Sequence, residues 1–262
     1  MSEESQGVDT IVKSCWNGYL RYDFSVEGHG GLVIVPDKTA QGNPWVWRAE
    51  FFDAFAQADM ALLKQGWHLA YYSIKDMYGS PQAVELMHAF QDRVESDFGL
   101  SEKTVIFGFS RGGLYAFNYA AKYPERVAAL YLDAPVLDIR SWPGGFGTSE
   151  RAEKEWAECL NAYGLTEKSA LAFYDNPLDK TNFVIKAKIP IIVVVGDADI
   201  NAPIAENTLI LAERCCDMGE DFKLIVKPGV AHHPHSLDNP APIVAFLIEK
   251  FYSTNKDGYG FS

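Results

Sequence analysis

The sequence predicts an α/β protein with a mainly parallel, twisted sheet that is flanked by helices. Segments with the pattern of strands alternate with segments of helical periodicity, which is the order that parallel sheets require. Most of the predicted strands are short, apolar and rich in β-branched residues, as expected of strands buried on both faces. The 262 residues, 48% of them hydrophobic, suit one domain over the whole of 1–262.

The first half of the chain predicts a hairpin and then repeated strand and helix units. From Tyr19 the sequence alternates, turns at glycines and ends in an apolar run, so the sheet is expected to begin there. After a polar loop, Pro44 and apolar residues at helical spacing predict a helix that continues to Gly66. The same reasoning predicts strands at 67–74 and 104–109, and helices at 81–98 and 110–124.

The second half repeats this order but is interrupted once. Strands are predicted at 127–133 and 189–196, and between them lies the long segment 139–188. Because this segment leaves the sheet at the carboxyl end of a strand, it predicts a small cap inserted over an active site. A plain crossover excursion is the alternative. The remaining segments predict a helix at 202–219, a strand at 222–229, a helix at 240–253 and a disordered tail after Ser253.

The composition argues against several classes of partner. The formal net charge of -12 would repel a phosphate backbone over most of the surface, so nucleic acid is not expected to bind. No segment approaches the roughly 18 apolar residues that a membrane span needs. The four cysteines lack the density of a disulfide scaffold and the paired spacing of a zinc site. The acidic, polar start has no signal-peptide pattern, which favours the cytoplasm, and the oligomeric state is left open.

A GxSxG motif stands where a predicted strand meets a predicted helix. Gly108-Phe109-Ser110-Arg111-Gly112 directly follows the strand, and this sharp turn would hold the Ser110 hydroxyl above the edge of the sheet. Glycines are needed on both sides of the serine because the crowded bend leaves no room for Cβ atoms. The N–H of Arg111, at the start of the helix, is the first candidate donor to a substrate oxyanion.

With this motif at this place, the sequence resembles the α/β-hydrolase superfamily, whose catalytic triad runs in the order serine, acid, histidine. The resemblance covers nearly the whole chain and implies that Ser110 is the nucleophile. It points to Asp199 as the acid, because Gly196 and two further residues precede this aspartate just after a strand. Asp197 is the close competitor. Asp133 and Asp138, which follow the preceding strand, are a third option.

The loop after the last predicted strand supplies the candidate base. It contains three histidines, and the small Ala231 directly before His232 matches the form that relatives use, with His233 as the competitor. An imidazole that is held by a carboxylate can remove the serine proton, which is what this chemistry requires. The third histidine of the loop is His235, and the three together could suggest a metal site. We expect no metal, because neither a cysteine nor an acidic residue lies nearby at ligand spacing.

The substrate side of the site is less defined by the sequence. The resemblance implies a second oxyanion donor in the loop after the early buried strand, where the backbone N–H of Lys38 is the candidate. Aromatic rings with an arginine beside the serine would suit a sugar or an aromatic acid, although tryptophans at this spacing could equally pack the core. The predicted substrate-binding residues are Trp45, Trp47, Arg48, Trp142 and His233.

The predicted activity is hydrolysis of a carboxylic ester of a small molecule through an acyl-serine, without metal or organic cofactor. A carbohydrate-linked ester is one possible substrate. The same triad could instead cleave a peptide, amide or carbon-carbon bond, because fold and triad do not determine the bond that is cut. A binding protein that keeps the fold without turnover is the alternative from outside the enzymes, and the ordered triad argues against it.

Overall fold

A nine-stranded sheet forms the centre of the molecule within residues 11–254, which are the residues that the computed structural model describes. Along the chain its strands are β1 (Val12–Trp16), β2 (Tyr19–Val26), β3 (His29–Val35), β4 (Trp45–Arg48), β5 (His68–Tyr72), β6 (Thr104–Phe109), β7 (Val127–Asp133), β8 (Ile191–Gly196) and β9 (Phe222–Lys227). Across the sheet their order is β1, β2, β3, β5, β4, β6, β7, β8 and β9. The predicted α/β class with a mainly parallel sheet is confirmed.

The direction of the strands determines which loops can meet. Strands β1, β2, β3 and β5 pair antiparallel, whereas β5, β4, β6, β7, β8 and β9 pair parallel. The carboxyl ends of the parallel strands therefore share one edge of the sheet, which is where ligands bind in open α/β sheets. Strand β1 precedes the predicted start of the sheet at Tyr19. Four of its five residues are exposed, so it lacks the apolar signal of the central strands.

Eight α-helices accompany the sheet within the described residues, and six of them pack on its two faces. They are α1 (Gln57–Lys64), α2 (Pro81–Phe98), α3 (Gly112–Lys122), α4 (Glu153–Tyr163), α5 (Glu167–Leu171), α6 (Thr181–Lys186), α7 (Thr208–Arg214) and α8 (Ala241–Thr254). Helix α2 matches its prediction because its ends are encoded locally. The Ser80 hydroxyl accepts from the Ala83 N–H, Pro81 opens the first turn, and Gly99 closes the helix in the left-handed conformation.

The helix predicted from Pro44 to Gly66 is wrong over most of its length. Residues 45–48 form β4, which lies between β5 and β6 in the middle of the sheet, and the helix begins only at Gln57. All four residues of β4 are buried. A strand that is buried on both faces shows no alternation, so its apolar residues could be mistaken for one side of a helix.

Two further predictions need comment. The helix predicted at 202–219 is shorter, because turns precede α7 and a 3₁₀ turn follows it. The segment 139–188 contains α4, α5 and α6, and its last helix packs against α3 like an ordinary crossover. The tail predicted to be disordered lies outside the described residues except for Thr254, which ends α8. The first ten residues also lie outside the described residues. The prediction that the chain carries no signal peptide rests partly on them.

The core has one large layer on each face of the sheet. Residues of α2, α3, α6 and α7 pack on one face, and residues of α1 and α8 pack on the other. A third cluster joins α4 and the start of segment 139–188 to Tyr78 and Leu114. All four cysteines are free thiols. None of the helices within residues 11–254 combines the length and apolar character that a bilayer crossing demands.

Candidate active site

Ser110 lies in the predicted sharp turn between β6 and α3. Its φ of 49° is in the left-handed region, which is strained for a residue with a side chain. The turn is crowded, because a Cβ on Gly108 would lie 2.9 Å from the Gly112 carbonyl oxygen, and one on Gly113 would lie 2.8 Å from the Val136 carbonyl oxygen. The Ser110 N–H donates to the Asp133 carbonyl at 2.9 Å. Backbone strain is thus held in place by close packing.

A continuous chain of hydrogen bonds joins Ser110, His232 and Asp199. The Ser110 Oγ lies 2.9 Å from His232 Nε2, and His232 Nδ1 lies 2.7 Å from Asp199 Oδ2. Because a carboxylate can only accept, Nδ1 carries the proton that faces Asp199, and Nε2 is left to accept the serine proton. The side chain of Asp199 is fully buried, and its Oδ1 accepts from the N–H groups of Asn201 and Ala202.

The competing acids have other partners. Asp197 is exposed, and its Oδ1 accepts from the Gly229 N–H at 2.6 Å. Asp138 forms an ion pair with Arg140. Neither is hydrogen-bonded to His232, so the geometry unites only the predicted Asp199 with the base.

Asp133, the remaining candidate acid, holds a second histidine. Its Oδ1 lies 2.8 Å from His235 Nδ1, while its Oδ2 accepts from the Tyr131 hydroxyl at 2.5 Å and the Ser236 N–H at 2.8 Å. Burial raises the pKa of Tyr131 well above its ordinary value, so the phenol keeps the proton that it donates. Asp133 is fully buried. Asp133, the last residue of β7, therefore anchors the loop after β9, which carries the candidate base.

His233 points to a different surface from its neighbour. It is exposed, and its ring stacks on Phe55 with the centroids 5.8 Å apart. Burial together with the nearby His235 and His232 lowers the pKa of His233 below its ordinary value. Ring nitrogens of the three histidines lie within 4.8 Å of one another, which makes them a group that could ligate a metal ion. His232 already uses both of its nitrogens in the chain from Asp199 to Ser110.

A pocket of about 300 Å³ opens beside Ser110. Besides Ser110 and His232, its lining comprises Val136, Trp142, Ala152, Glu155, Asn201 and Ala202. Trp142 is a predicted substrate-binding residue, and the structure places it in this pocket. Glu155 was missed by sequence reasoning, because nothing in the local pattern of α4 separates it from the other acidic residues of that helix.

Four of the five predicted substrate-binding residues do not line the pocket. One of them is His233, which stacks on Phe55 instead. Trp45 and Trp47 are buried in the core within β4, where their rings stack with centroids 5.7 Å apart. Arg48 is fully buried, and its Nε lies 3.3 Å from Asp59 Oδ1. The assignment of Trp45, Trp47 and Arg48 as substrate contacts is wrong, because it assumed that these residues open a helix that faces the site. The expectation of a sugar or aromatic acid loses its structural basis.

Lys38 is at the wrong edge of the sheet to serve as an oxyanion donor. It follows β3, which runs antiparallel to β5, so its loop lies beside Gly66 and the start of β5. Ser110 follows the carboxyl end of β6, at the opposite edge. The loop that approaches the serine turn is the one after β4, where the Glu50 nitrogen lies 3.7 Å from the position of a Cβ on Gly112.

The Arg111 side chain closes this side of the site with a charged network. Its Nη2 lies 3.2 Å from Glu50 and its Nη1 lies 3.1 Å from Asp76. The guanidinium also lies 5.4 Å from the Phe51 ring centroid and 5.5 Å from that of Tyr78. Burial raises the pKa of Glu50, and Arg111 opposes that shift. The Arg111 guanidinium, which is the cation beside Ser110, is therefore paired with the carboxylates of Glu50 and Asp76.

Solved structures with a similar fold include several peptidases. The acylaminoacyl peptidase of Pyrococcus horikoshii matches with a TM-score of 0.65 and 13% identity, over 94% of this chain and 42% of that chain. Dipeptidyl peptidase 4 of Porphyromonas gingivalis matches with a TM-score of 0.65 and 14% identity, over 92% and 35% of the two chains. The chain thus spans less than half of the length of these peptidases.

A third solved structure matches over nearly its whole length. Est1E from Butyrivibrio proteoclasticus has a TM-score of 0.59 and 16% identity, with 92% of this chain and 98% of that chain covered. No match was found among curated protein sequences. The resemblance to the α/β-hydrolase superfamily of serine hydrolases is confirmed. Residues 65–254, well over half of the chain, match the sequence pattern of the prolyl oligopeptidase family, and the chain therefore belongs to this family.

Proposed function

We propose that this hydrolase cleaves an amide or peptide bond of a small substrate through a covalent acyl intermediate on Ser110. The observation that carries the proposal is the unbroken chain of hydrogen bonds from buried Asp199 through His232 to Ser110, at the wall of a pocket. Such a chain makes a serine hydroxyl nucleophilic at neutral pH.

In the proposed reaction, His232 Nε2 takes the proton of Ser110 while Oγ attacks the substrate carbonyl. Asp199 stabilises the imidazolium that forms, without itself taking the proton. The tetrahedral intermediate collapses when His232 protonates the leaving amine, and the acyl group stays on Ser110. Water then attacks the acyl carbon while His232 accepts a proton from this water. His232 passes that proton to Ser110 Oγ as the carboxylic acid leaves, which restores the free serine.

The developing oxyanion needs two N–H donors. The N–H of Arg111 has no backbone acceptor within residues 11–254 and stands at the start of α3, as the sequence predicted. For the second donor we propose the loop after β4 in place of Lys38. There the N–H groups of Glu50 and Phe51 likewise have no backbone acceptor in the described chain.

The bond that is cleaved has two candidates. Family membership favours an amide, and for this reason the ester that the sequence predicted first becomes the second candidate. The match to Est1E, which covers 98% of that chain, supports keeping an ester as the second candidate. The same acyl-serine steps serve both bonds.

We also propose that the early part of segment 139–188 acts as the predicted cap. It supplies Trp142, Ala152 and Glu155 to the pocket, and its apolar side packs on Tyr78 and Leu114. The later part, with α6 against α3, serves as the crossover to β8.

Labelling with a fluorophosphonate probe tests the role of Ser110. We expect the wild type to be modified at Ser110, and Ser110→Ala to lose labelling and at least about 10⁴-fold in turnover, because the hydroxyl forms the covalent bond. The fold should persist, with an unchanged circular dichroism spectrum. Ser14→Ala, on the exposed edge strand β1, is the control and should label normally.

Rate enhancements distinguish the two bonds. For an aminoacyl anilide and a nitrophenyl ester, kcat/KM is divided by the rate constant of the uncatalysed hydrolysis, because esters are intrinsically more reactive. A larger enhancement for the anilide supports the amide. A larger enhancement for the ester would show that the enzyme cleaves esters and not amides. Absence of labelling at Ser110 in the first experiment would refute the acyl-serine mechanism itself.

A further inference from the structure

The pocket beside Ser110 contains one charged side chain, Glu155. The other lining residues are neutral or apolar, apart from the His232 of the triad. Glu155 is half-buried in the first turn of α4. A substrate that reaches Ser110 therefore meets a carboxylate and no lining cation.

Glu155 has no ion pair or hydrogen-bond partner among the described residues. Three cations of the neighbouring segments pair with other carboxylates: Lys154 with Glu158, Arg151 with Glu167, and Arg111 with Glu50 and Asp76. An unpaired carboxylate that faces a pocket leaves its negative potential available to a ligand.

Trp142 lines the same pocket and is a second side chain there that attracts a cation. It is half-buried, with its ring 6.3 Å from that of Tyr78. The face of an indole attracts an ammonium group, and the attraction is strengthened where water is partly excluded. A carboxylate and an indole in one small pocket are complementary to a cation, whereas both would disfavour an anionic substrate.

We infer that Glu155 and Trp142 select substrates whose acyl part carries an ammonium group, so that the enzyme acts on aminoacyl compounds with a free amine. The inference rests on the proposed acyl-serine function and names its substrate class. The pocket of about 300 Å³ is at the lower end for ligand sites, which suits a single aminoacyl group. The amine would lie between the two side chains while the carbonyl carbon faces Ser110.

A pair of covalent reagents tests this without knowledge of the natural substrate. Aminoethyl-benzenesulfonyl fluoride carries a primary ammonium, and its N-acetylated form has the same sulfonyl fluoride but no charge. Each transfers its sulfonyl group to Ser110 Oγ with loss of fluoride, while the serine proton passes to His232. The second-order rate constants of modification are measured for both, and mass spectrometry confirms the site.

We expect the wild type to prefer the charged reagent, and Glu155→Gln to lower the ratio of the two rate constants about tenfold, the size of one hydrogen bond to a charged group. Glu155→Lys should reverse the preference. Glu153→Gln is the matched control, because Glu153 lies exposed in the same turn outside the pocket, and its ratio should equal that of the wild type. The preference should also shrink at high salt, which screens charges.

The outcomes separate the inference from the function on which it rests. If both reagents modify Ser110 and the ratio is the same in wild type and Glu155→Gln, the acyl-serine proposal stands and the ammonium selection is wrong. A wild type that prefers the acetylated reagent leads to the same conclusion. If neither reagent modifies Ser110, the proposed function fails, and this inference fails with it.

Discussion

At the scale of single residues, two aspartates that are two positions apart have opposite environments. Asp199 is buried and receives three hydrogen bonds, one of them from His232. Asp197 is exposed and holds the backbone at Gly229. The difference follows from the turn after β8, which directs Asp199 toward the loop of His232 and Asp197 toward the start of that loop.

Substituting each aspartate by asparagine should separate their roles. We expect Asp199→Asn to lower kcat about 10⁴-fold, because an amide presents the wrong group to His232 Nδ1 and disfavours the tautomer that the serine needs. Asp197→Asn should leave kcat almost unchanged and alter mainly stability. Steady-state kinetics of the two variants on one substrate decides the matter, and a dead Asp197→Asn beside an active Asp199→Asn would overturn the assignment.

At the scale of elements, β4 and the loop after it depend on one buried ion pair. Arg48 is fully buried, pairs with Asp59 at 3.3 Å, and lies 4.0 Å from the Phe109 ring centroid. Its guanidinium also donates to the Ala54 carbonyl in the loop after β4. Burial raises the pKa of Asp59, and Arg48 opposes that shift. Arg48 thus holds the loop that we propose as the source of the second oxyanion donor.

We expect Arg48→Met to lower the free energy of unfolding by about 3 kcal/mol or more, because it leaves the Asp59 carboxylate uncompensated in the core. The double variant Arg48→Met with Asp59→Leu should recover part of this loss, since no charge is then buried. Urea denaturation measures both values.

The half-buried pair between Arg21 and Asp23 on β2 provides the control for this experiment, because both of its side chains reach water. Arg21→Met should cost less than about 1 kcal/mol, because water screens a pair that it can reach. Equal losses in Arg48→Met and Arg21→Met would show that the buried pair has no special structural role.

At the scale of the whole molecule, global stability should depend on pH through a buried histidine. His68 begins β5 with only 6% of its surface exposed, and its Nδ1 lies 3.3 Å from the Pro44 carbonyl. Burial lowers the pKa of His68 below its ordinary value, and the carbonyl partly opposes the shift. In the unfolded chain the pKa stays near the ordinary value of about 6.5.

The sign of the effect follows from proton linkage. As the pH falls through about 6.5, the unfolded chain takes up a proton on His68 before the folded protein does, so the free energy of unfolding decreases. His68→Gln should remove this part of the slope between about pH 7 and pH 5, where one proton contributes at most about 1.4 kcal/mol per pH unit. Denaturation curves at several pH values measure the slope.

Free energies of unfolding measured above about pH 8 give the reference for the comparison with His68→Gln. At that pH His68 of the wild type is neutral in both the folded and the unfolded state. The difference between wild type and His68→Gln should be constant there and should change only as the pH falls. Parallel curves for the two proteins over the whole range would show that His68 does not contribute to the pH dependence.

Features that depend on neighbours in sequence could be determined from the sequence alone. The turn at Ser110 requires only a strand, a GxSxG motif and a helix in succession, and α2 carries its own caps at Ser80 and Gly99. The order of Ser110, Asp199 and His232 follows from the order of the strands along the chain. These local signals also sufficed for the fold class and most of the parallel strands.

Other features were decided only by the tertiary structure. The antiparallel direction of β3 removes Lys38 from the site, and the insertion of β4 between β5 and β6 buries Trp45, Trp47 and Arg48. Glu155 joins the pocket because segment 139–188 folds back over the sheet edge. The physical reason is the same in each case: a residue's neighbours in space are determined by strand order and packing between distant segments, and local periodicity carries no information about either.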